Sequence, residues 1–158
     1  MIEKWKYYQY DTPLGGIVIH EDGVGIARID WVVQQKKPKG DCEETPLIRK
    51  AYSQLTEYFN GRRQTFDLIL RPRGTAFQQR VWQVLRKIPY GELRNYQEVA
   101  EALGDPNAAR AVGMANNRNP LPIIIPCHRV IGSNGKLMGY AVGQTLKRAL
   151  LEIEGVVL

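Results

Sequence analysis

The sequence has few metal-binding side chains and no long apolar segment. Its 158 residues include only two cysteines and two histidines, in no zinc-binding spacing, so we expect no metal and no other cofactor. One cysteine pair makes no disulfide framework. The longest apolar stretch, 123–125, lies between Pro122 and Pro126 and is far too short to span a membrane. The first residues lack the apolar segment of a signal peptide, which predicts a cytoplasmic protein without membrane association.

Positive charge is concentrated in the second half of the chain. The 22 lysines and arginines and 16 acidic residues give a net charge of +6. Residues 1–70 hold ten of each sign, which leaves 12 basic and 6 acidic residues for 71–158. A polyanion such as nucleic acid is therefore expected to bind the second half. Charge alone fits a basic, soluble surface equally well.

The pattern predicts an α+β protein with two domains, 1–70 and 75–158, separated by the Arg-Pro-Arg-Gly segment at 71–74. In the first domain, short β-branched runs predict two or three antiparallel strands, and an apolar stripe at helical spacing predicts a helix. A last apolar run predicts another strand. These elements are the strands within 7–10 and 16–31, the helix 46–59 and the strand 66–70.

Two capping boxes mark helix starts in the second domain. Thr75 is followed three residues later by Gln78, and the apolar spacing after it predicts a helix that ends before the Pro-Tyr-Gly segment at 89–91. Asn95 with Glu98 repeats the pattern and predicts a helix through residue 103. The second domain is therefore expected to be mostly helical.

A further helix is predicted at 106–117, with Asp105 as its N-cap and proline at its first position. Together with the preceding helix and its glycine turn, it forms a helix-turn-helix candidate. The helix is rich in small side chains and carries one arginine, Arg110. Such a surface suits close approach to DNA or tight packing against a neighbouring helix, and the pattern leaves both open.

The segment 119–130 carries the residues best suited to chemistry. Its three prolines predict a rigid, strand-like arm that ends at Cys127, His128 and Arg129. A cysteine is nucleophilic as thiolate, and a neighbouring imidazole or guanidinium lowers its pKa. Adjacent side chains of an extended segment point to opposite faces, so a turn or a bridging water would have to join Cys127 to His128. On these residues alone, a buried structural cysteine remains an alternative.

Residues 125–130, Ile-Pro-Cys-His-Arg-Val, resemble the active-site signature of the O6-alkylguanine-DNA alkyltransferases, or methylated-DNA–protein-cysteine methyltransferases. The resemblance covers 75–155 closely and the first half loosely. It implies a ribonuclease-H-like sheet domain followed by a winged helix-turn-helix-like domain. It also implies suicide repair of O6-alkylguanine, and of O4-alkylthymine as an open possibility, in duplex DNA by a monomer. Further matching segments are 77–82, 88–91, 108–113, 119–120 and 150–155.

The resemblance implies five catalytic residues. Cys127 resembles the alkyl acceptor, His128 the base that takes its proton through a water, and Glu154 the carboxylate that orients this histidine. Tyr96 resembles the residue that crowds the 3′ phosphate of the target nucleotide and helps to protonate the departing guanine. Asn119 resembles the asparagine that ties the helix-turn-helix to the acceptor segment.

The resemblance also implies a DNA-binding surface. Arg110 resembles the arginine that fills the gap left by the rotated base, which must leave the stack for chemistry. The second helix would lie in the minor groove, where Ala109, Gly113 and Ala115 permit a close approach. Arg129 is expected to contact DNA as well.

A substrate pocket is implied around the acceptor. The backbone amides of Cys127 and Val130 are expected to hold the guanine edge. Met138 and Val142 stand where the family usually has glycine, so the pocket mouth is expected to be narrower for bulky alkyl groups. The predicted pocket residues are Val130, Met138, Tyr140, Ala141 and Val142.

Other functions compete with alkyl transfer. A non-catalytic alkyltransferase-like protein would bind the damage without repairing it, but such proteins usually carry another residue in place of the acceptor Cys127. A regulatory fusion would need a zinc-cysteine sensor and a transcription-factor arm, which this sequence lacks. A Cys-His hydrolase or thiol peroxidase would act on small molecules without DNA.

Overall fold

The computed structural model describes residues 4–132 and 143–157, and its internal contacts divide the chain into two units, Met1–Arg73 and Gly74–Leu158. Within those described ranges, no helix is long and apolar enough to cross a membrane.

The first unit is built on a four-stranded sheet in the order β3-β2-β1-β4. The antiparallel strands β1 (Lys6–Tyr10), β2 (Ile17–Glu21) and β3 (Ile26–Trp31) confirm the predicted strands. The two-residue β4 (Asp41–Cys42) pairs in parallel with β1 and was not predicted. Its residues are exposed and have no apolar alternation, so they carry no strand signal.

Helix α1 (Pro46–Phe59) confirms the predicted helix and packs against the sheet. Thr45 caps it, because its hydroxyl oxygen accepts the Ile48 N–H at 3.2 Å, and such a cap is worth about 1 kcal/mol. The same hydroxyl donates to the carboxylate of Glu21 on β2, which fixes the helix start to the sheet. The buried face of α1 includes Ile48, Ala51, Leu55 and Tyr58.

The strand predicted at 66–70 does not form. Only Leu70 pairs, in an isolated bridge with Ile26. The amide side chain of Gln54 donates to the Asp67 carbonyl at 3.1 Å and accepts the Asp67 N–H at 2.9 Å. A side chain on α1 thereby satisfies the backbone groups that a neighbouring strand would otherwise pair.

The second unit is mainly helical. In the part of it that the structure describes, the helices are α2 (Ala76–Leu85), α3 (Tyr96–Ala102), α4 (Ala109–Asn117) and α5 (Gln144–Ile153), and β5 (Arg94–Asn95) pairs in parallel with β6 (Val130–Ile131). Both predicted capping boxes are present. Thr75 and Gln78 exchange hydrogen bonds of 3.1 and 2.9 Å, and Asn95 and Glu98 exchange bonds of 2.8 and 3.0 Å.

Helix α4 begins at Ala109, three residues later than predicted. Asp105 does not act as the expected cap; instead its carbonyl accepts the Ala108 N–H at 3.0 Å and closes a turn. The Gln97 side chain donates to the Pro106 carbonyl at 2.8 Å. These contacts hold the segment as a separate turn, and no side chain among the described residues caps the start of α4.

The predicted strand-like arm is wrong: the segment 119–126 folds into consecutive turns. The Ile125 N–H donates to the Leu121 carbonyl at 2.9 Å, and Ile123 has a φ of 74°, a left-handed conformation that is rare for a β-branched residue. Cys127–Arg129 then form one turn of 3-10 helix. Proline fixes φ and removes a donor, which permits turns as readily as strands.

Trp82 joins α2 to α4 in the core of the second unit. Its buried indole Nε1–H donates to the Ala115 carbonyl at 2.9 Å. Gly74 lies against the same ring so closely that a Cβ atom there would collide with it. The start of the unit and the last turn of α4 are therefore both packed on one side chain.

Candidate active site

Cys127 begins the 3-10 turn and is only 3% exposed. Burial raises the pKa of its thiol to about 11, and a hydrogen bond from Asn119 and the positive charge of Lys147 oppose that rise. The free protein therefore holds a protonated thiol at neutral pH. A base is needed to make it nucleophilic.

His128, the residue after Cys127, forms a buried pair with Glu154. The distance from His128 Nε2 to a carboxylate oxygen of Glu154 is 2.6 Å. Burial lowers the pKa of His128 despite the opposing effect of the carboxylate, so the imidazole is neutral and its Nε2–H donates to Glu154. The other ring nitrogen, Nδ1, is buried and has no hydrogen-bond partner among residues 4–132 and 143–157. It can accept a proton.

Arg129 faces inward, at 5% exposure. Its Nε and Nη2 donate to the two carboxylate oxygens of Glu154 at 2.8 and 3.1 Å, and its Nη1 donates to the Ile88 carbonyl at 2.7 Å. The expected DNA contact at Arg129 is therefore not supported by its position. The guanidinium compensates the buried carboxylate instead.

The segment 88–91, which matches the family pattern, forms the floor of this cluster. Gly91 has a φ of 78°, which favours glycine, and its N–H donates to Glu154 at 2.9 Å. The Tyr90 hydroxyl donates to the Ile153 carbonyl at 3.2 Å, and the Arg129 guanidinium lies over the Tyr90 ring at 5.7 Å. The segment thus holds both charged partners.

Asn119 joins the end of α4 to the acceptor segment. Its side-chain Nδ2 donates to the Ile125 carbonyl at 2.8 Å, and its Oδ1 accepts the Leu121 N–H at 2.9 Å. The same side chain forms the hydrogen bond that lowers the pKa of Cys127. One asparagine therefore fixes the turns and contacts the thiol.

Tyr96 lies close to Cys127 because of the two short strands. It follows Asn95 of β5, which pairs with Ile131 of β6, just after the acceptor turn. Burial and the charge of Cys127 raise the pKa of Tyr96, so its phenol stays protonated. Gly113 of α4 faces this ring. A Cβ atom at position 113 would lie 3.8 Å from a ring carbon of Tyr96. The predicted acceptor, the predicted phenol and α4 are thus brought together.

Lys147 is a site residue that sequence reasoning missed. It is fully buried on α5, and its ammonium donates to the Val130 carbonyl. Burial lowers the pKa of Lys147 to about 8, and the negative charge that Cys127 carries when ionised would oppose this shift. Its position three and four residues before the buried Leu150 and Leu151 places a lysine in an apolar stripe. This departure from the amphipathic pattern was the signal in the sequence that could have identified Lys147.

The backbone amides expected to hold guanine are already engaged. The Cys127 N–H donates to the Ile125 carbonyl at 2.8 Å, and the Val130 N–H donates to the Cys127 carbonyl. Each amide has only one hydrogen to donate, so it would have to exchange this partner for guanine, and the predicted role stays a prediction. The remaining predicted pocket residues, Met138, Tyr140, Ala141 and Val142, lie outside the described residues.

Helix α4 presents part of the predicted DNA surface. Arg110 is exposed, and Ala109 and Gly113 are half-buried. Ala115 is buried, and its carbonyl accepts the Trp82 hydrogen bond. It belongs to the core, so its predicted place among the DNA-contacting small residues is not supported.

Two family models match the chain. Residues 76–156 match the DNA binding domain of 6-O-methylguanine DNA methyltransferase, and residues 5–72 match its ribonuclease-like domain. The chain belongs to this family. The sequence-based predictions of the family, the two-part α+β fold and the enzyme class, methylated-DNA–protein-cysteine methyltransferase, are confirmed.

Relatives of the family match nearly the whole chain. A methylated-DNA–protein-cysteine methyltransferase of Methanosarcina acetivorans is 47% identical over 94% of this chain and 97% of its own. The constitutive enzyme of that name from Bacillus subtilis is 49% identical, with 95% of each chain covered. The crystal structure of Mycobacterium tuberculosis OGT in complex with DNA has 46% identity and a TM-score of 0.88, covering 94% of this chain and 92% of that one.

Proposed function

We propose that this protein repairs O6-alkylguanine in double-stranded DNA by moving the alkyl group onto Cys127, irreversibly and once per chain. The observation that carries the proposal is the buried thiol of Cys127 and, on the next residue of the chain, an imidazole held by Glu154 whose Nδ1 has no partner among the described residues. Family membership and the relative crystallised with DNA support DNA as the partner.

The chemistry is an in-line displacement. His128 Nδ1 takes the thiol proton through a water, and the carboxylate of Glu154 stabilises the imidazolium that forms. The thiolate attacks the alkyl carbon, so an S–C bond forms while the C–O6 bond breaks and its electron pair stays on guanine. Tyr96 donates a proton to the departing guanine, and the proton on His128 restores the phenol. The thioether is not readily hydrolysed, so the protein acts once.

Helix α4 is proposed to bind the duplex and extrude the base. A stacked base is out of reach of a buried thiol, and rotating it out costs a few kcal/mol. The exposed guanidinium of Arg110 would fill the gap left in the stack and offset part of that cost. The half-buried Ala109 and Gly113 add little bulk between α4 and the sugar-phosphate backbone.

Mass spectrometry of the intact protein tests the transfer. After incubation with duplex DNA that contains one O6-methylguanine, we expect a gain of one methyl group, saturating at one per chain. Peptide mapping should place it on Cys127 and leave the exposed Cys42 unmodified. A Cys127→Ala variant should bind the duplex and gain nothing. Damage-specific binding without any mass gain in the wild type would contradict transfer and favour the non-catalytic, damage-binding class.

Arg110→Ala should separate base extrusion from chemistry. We expect repair of the duplex to slow about 30-fold, because about 2 kcal/mol of compensation for unstacking is lost, while reaction with free O6-benzylguanine changes little. Single-turnover rates on both substrates provide the measurement. Arg118→Ala removes the same charge from an exposed position at the C-terminal end of α4 and is the matched control. Equal slowing on both substrates would argue against an extrusion role for Arg110.

A further inference from the structure

Asn116, in the last turn of α4, has a buried amide next to the acceptor. The residue is 1% exposed, and its Nδ2 donates to the Cys127 carbonyl over a long 3.4 Å. Its Oδ1 is buried and has no hydrogen-bond partner in the described ranges 4–132 and 143–157. Buried amide oxygens are nearly always satisfied, so this one calls for a donor.

Two unsatisfied acceptors therefore belong to residues that adjoin the thiol. One is His128 Nδ1, on the residue next to Cys127, and the other is Asn116 Oδ1, whose amide contacts the Cys127 carbonyl. Neither atom can donate to the other, because Nδ1 is the unprotonated nitrogen of the ring and Oδ1 is a carbonyl oxygen. A water molecule has two hydrogens for these two acceptors and a lone pair for the thiol proton. Buried waters typically make about three such bonds.

We propose that Asn116 is a positioning residue for Cys127, whose Nδ2 holds the acceptor's carbonyl while its Oδ1 orients the water that passes the thiol proton to His128. This inference rests on the proposed function. With one hydrogen held by Asn116, the water directs its other hydrogen at Nδ1 and its lone pair at the thiol. The thiol proton moves to the water oxygen as the water proton moves to Nδ1, which leaves a thiolate and an imidazolium facing Glu154.

Asn116 can be replaced without changing the charges that surround the thiol. Among residues 4–132 and 143–157, the titratable and charged groups around the thiol are Tyr96 from α3, Lys147 from α5, and His128 with its neighbours Glu154 and Arg129. Asn116 carries no charge. Replacing it with leucine, which has a similar size, therefore removes hydrogen bonds without changing the net charge near the sulfur.

The test measures the rate at which iodoacetamide modifies Cys127 as a function of pH, in protein without DNA. The midpoint of this curve reports the ionisation of the thiol, and a Cys42→Ser background removes the exposed second cysteine. In Asn116→Leu we expect the midpoint to rise by about one pH unit and methyl transfer at pH 7 to slow about tenfold, with recovery at higher pH. Asn117→Leu makes the same change at the exposed neighbouring residue and should leave the midpoint unchanged. The melting temperature of each variant is measured alongside.

An unshifted midpoint in Asn116→Leu, or equal slowing at every pH, would overturn the proposal and leave Asn116 a packing residue. If that variant does not fold, Asn116→Asp keeps the side-chain volume. A carboxylate near the sulfur should raise the midpoint further through like-charge repulsion, and an unmoved midpoint would again overturn the proposal. Should the wild type accept no methyl group, the proposed function fails, but the thiol titration still decides the role of Asn116.

Discussion

Glu154→Gln should slow methyl transfer about a thousandfold and lower the free energy of unfolding by about 3 kcal/mol. The glutamine amide would offer an N–H to His128 Nε2, which forces the imidazole into the tautomer with hydrogen on Nδ1. That nitrogen could no longer accept the thiol proton. Arg129 would also keep a buried positive charge without its carboxylate, and this uncompensated charge destabilises the fold.

Single-turnover transfer and urea unfolding measure the two effects. Glu152→Gln is the matched control, because it removes the same charge from an exposed position two residues earlier, in the last turn of α5, and should change neither quantity appreciably. A Glu154→Gln protein that transfers methyl at the normal rate would show that the carboxylate does not set the histidine tautomer. Normal stability would show that Arg129 finds another partner.

Lys147→Met should make the protein more stable and less active. Since burial lowers the pKa of Lys147 from 10.5 to about 8, the folded state is destabilised by its ammonium at neutral pH. At 1.36 kcal/mol per pKa unit, and after subtracting the hydrogen bond to the Val130 carbonyl, we expect a gain of about 2 kcal/mol. Transfer should slow roughly tenfold, because the thiolate loses a nearby cation.

The stability difference between Lys147→Met and the wild type should depend on pH in a defined direction. Between about pH 8 and 10.5 the folded wild type binds fewer protons than the unfolded chain, so its stability rises with pH relative to the variant. The advantage of Lys147→Met should be full below pH 8 and shrink as pH approaches 10.5. Urea unfolding at several pH values measures it, with the exposed Arg148→Met as control. A pH-independent difference would mean that the substitution acts through packing alone.

Helix starts were predictable because their signals are local. Thr75 and Asn95 each satisfy a backbone N–H three residues ahead, so four consecutive residues contain the whole interaction. Asp105 and its proline carry an equally good local signal, yet no helix starts there. A hydrogen bond from Gln97, on the preceding helix, holds this segment in a turn. A local capping signal thus indicates where a helix can start, but a tertiary contact determines whether it does.

In the candidate site too, the sequence identified residues but not the tertiary contacts between them. Cys127, His128 and Glu154 were identified through a family resemblance, and no spacing rule predicts the 2.6 Å contact across 26 residues of chain. The inward position of Arg129 could not be read from its adjacency to histidine, because it depends on the 3-10 turn that replaced the expected strand. The lysine in the apolar stripe of α5 was a signal in the sequence, but the place of Lys147 in the site depends on the packing of α5 against the acceptor turn.

The hydrogen bond from Trp82 to Ala115 gives this molecule a built-in optical reporter. Indole emission depends on what its N–H donates to, and here the acceptor is the residue immediately before Asn116. The other two tryptophans, Trp5 and Trp31, lie in the first unit and report on that unit instead. A fluorescence change assigned to Trp82 therefore follows the last turn of α4, in real time and without any attached dye, while Cys127 reacts.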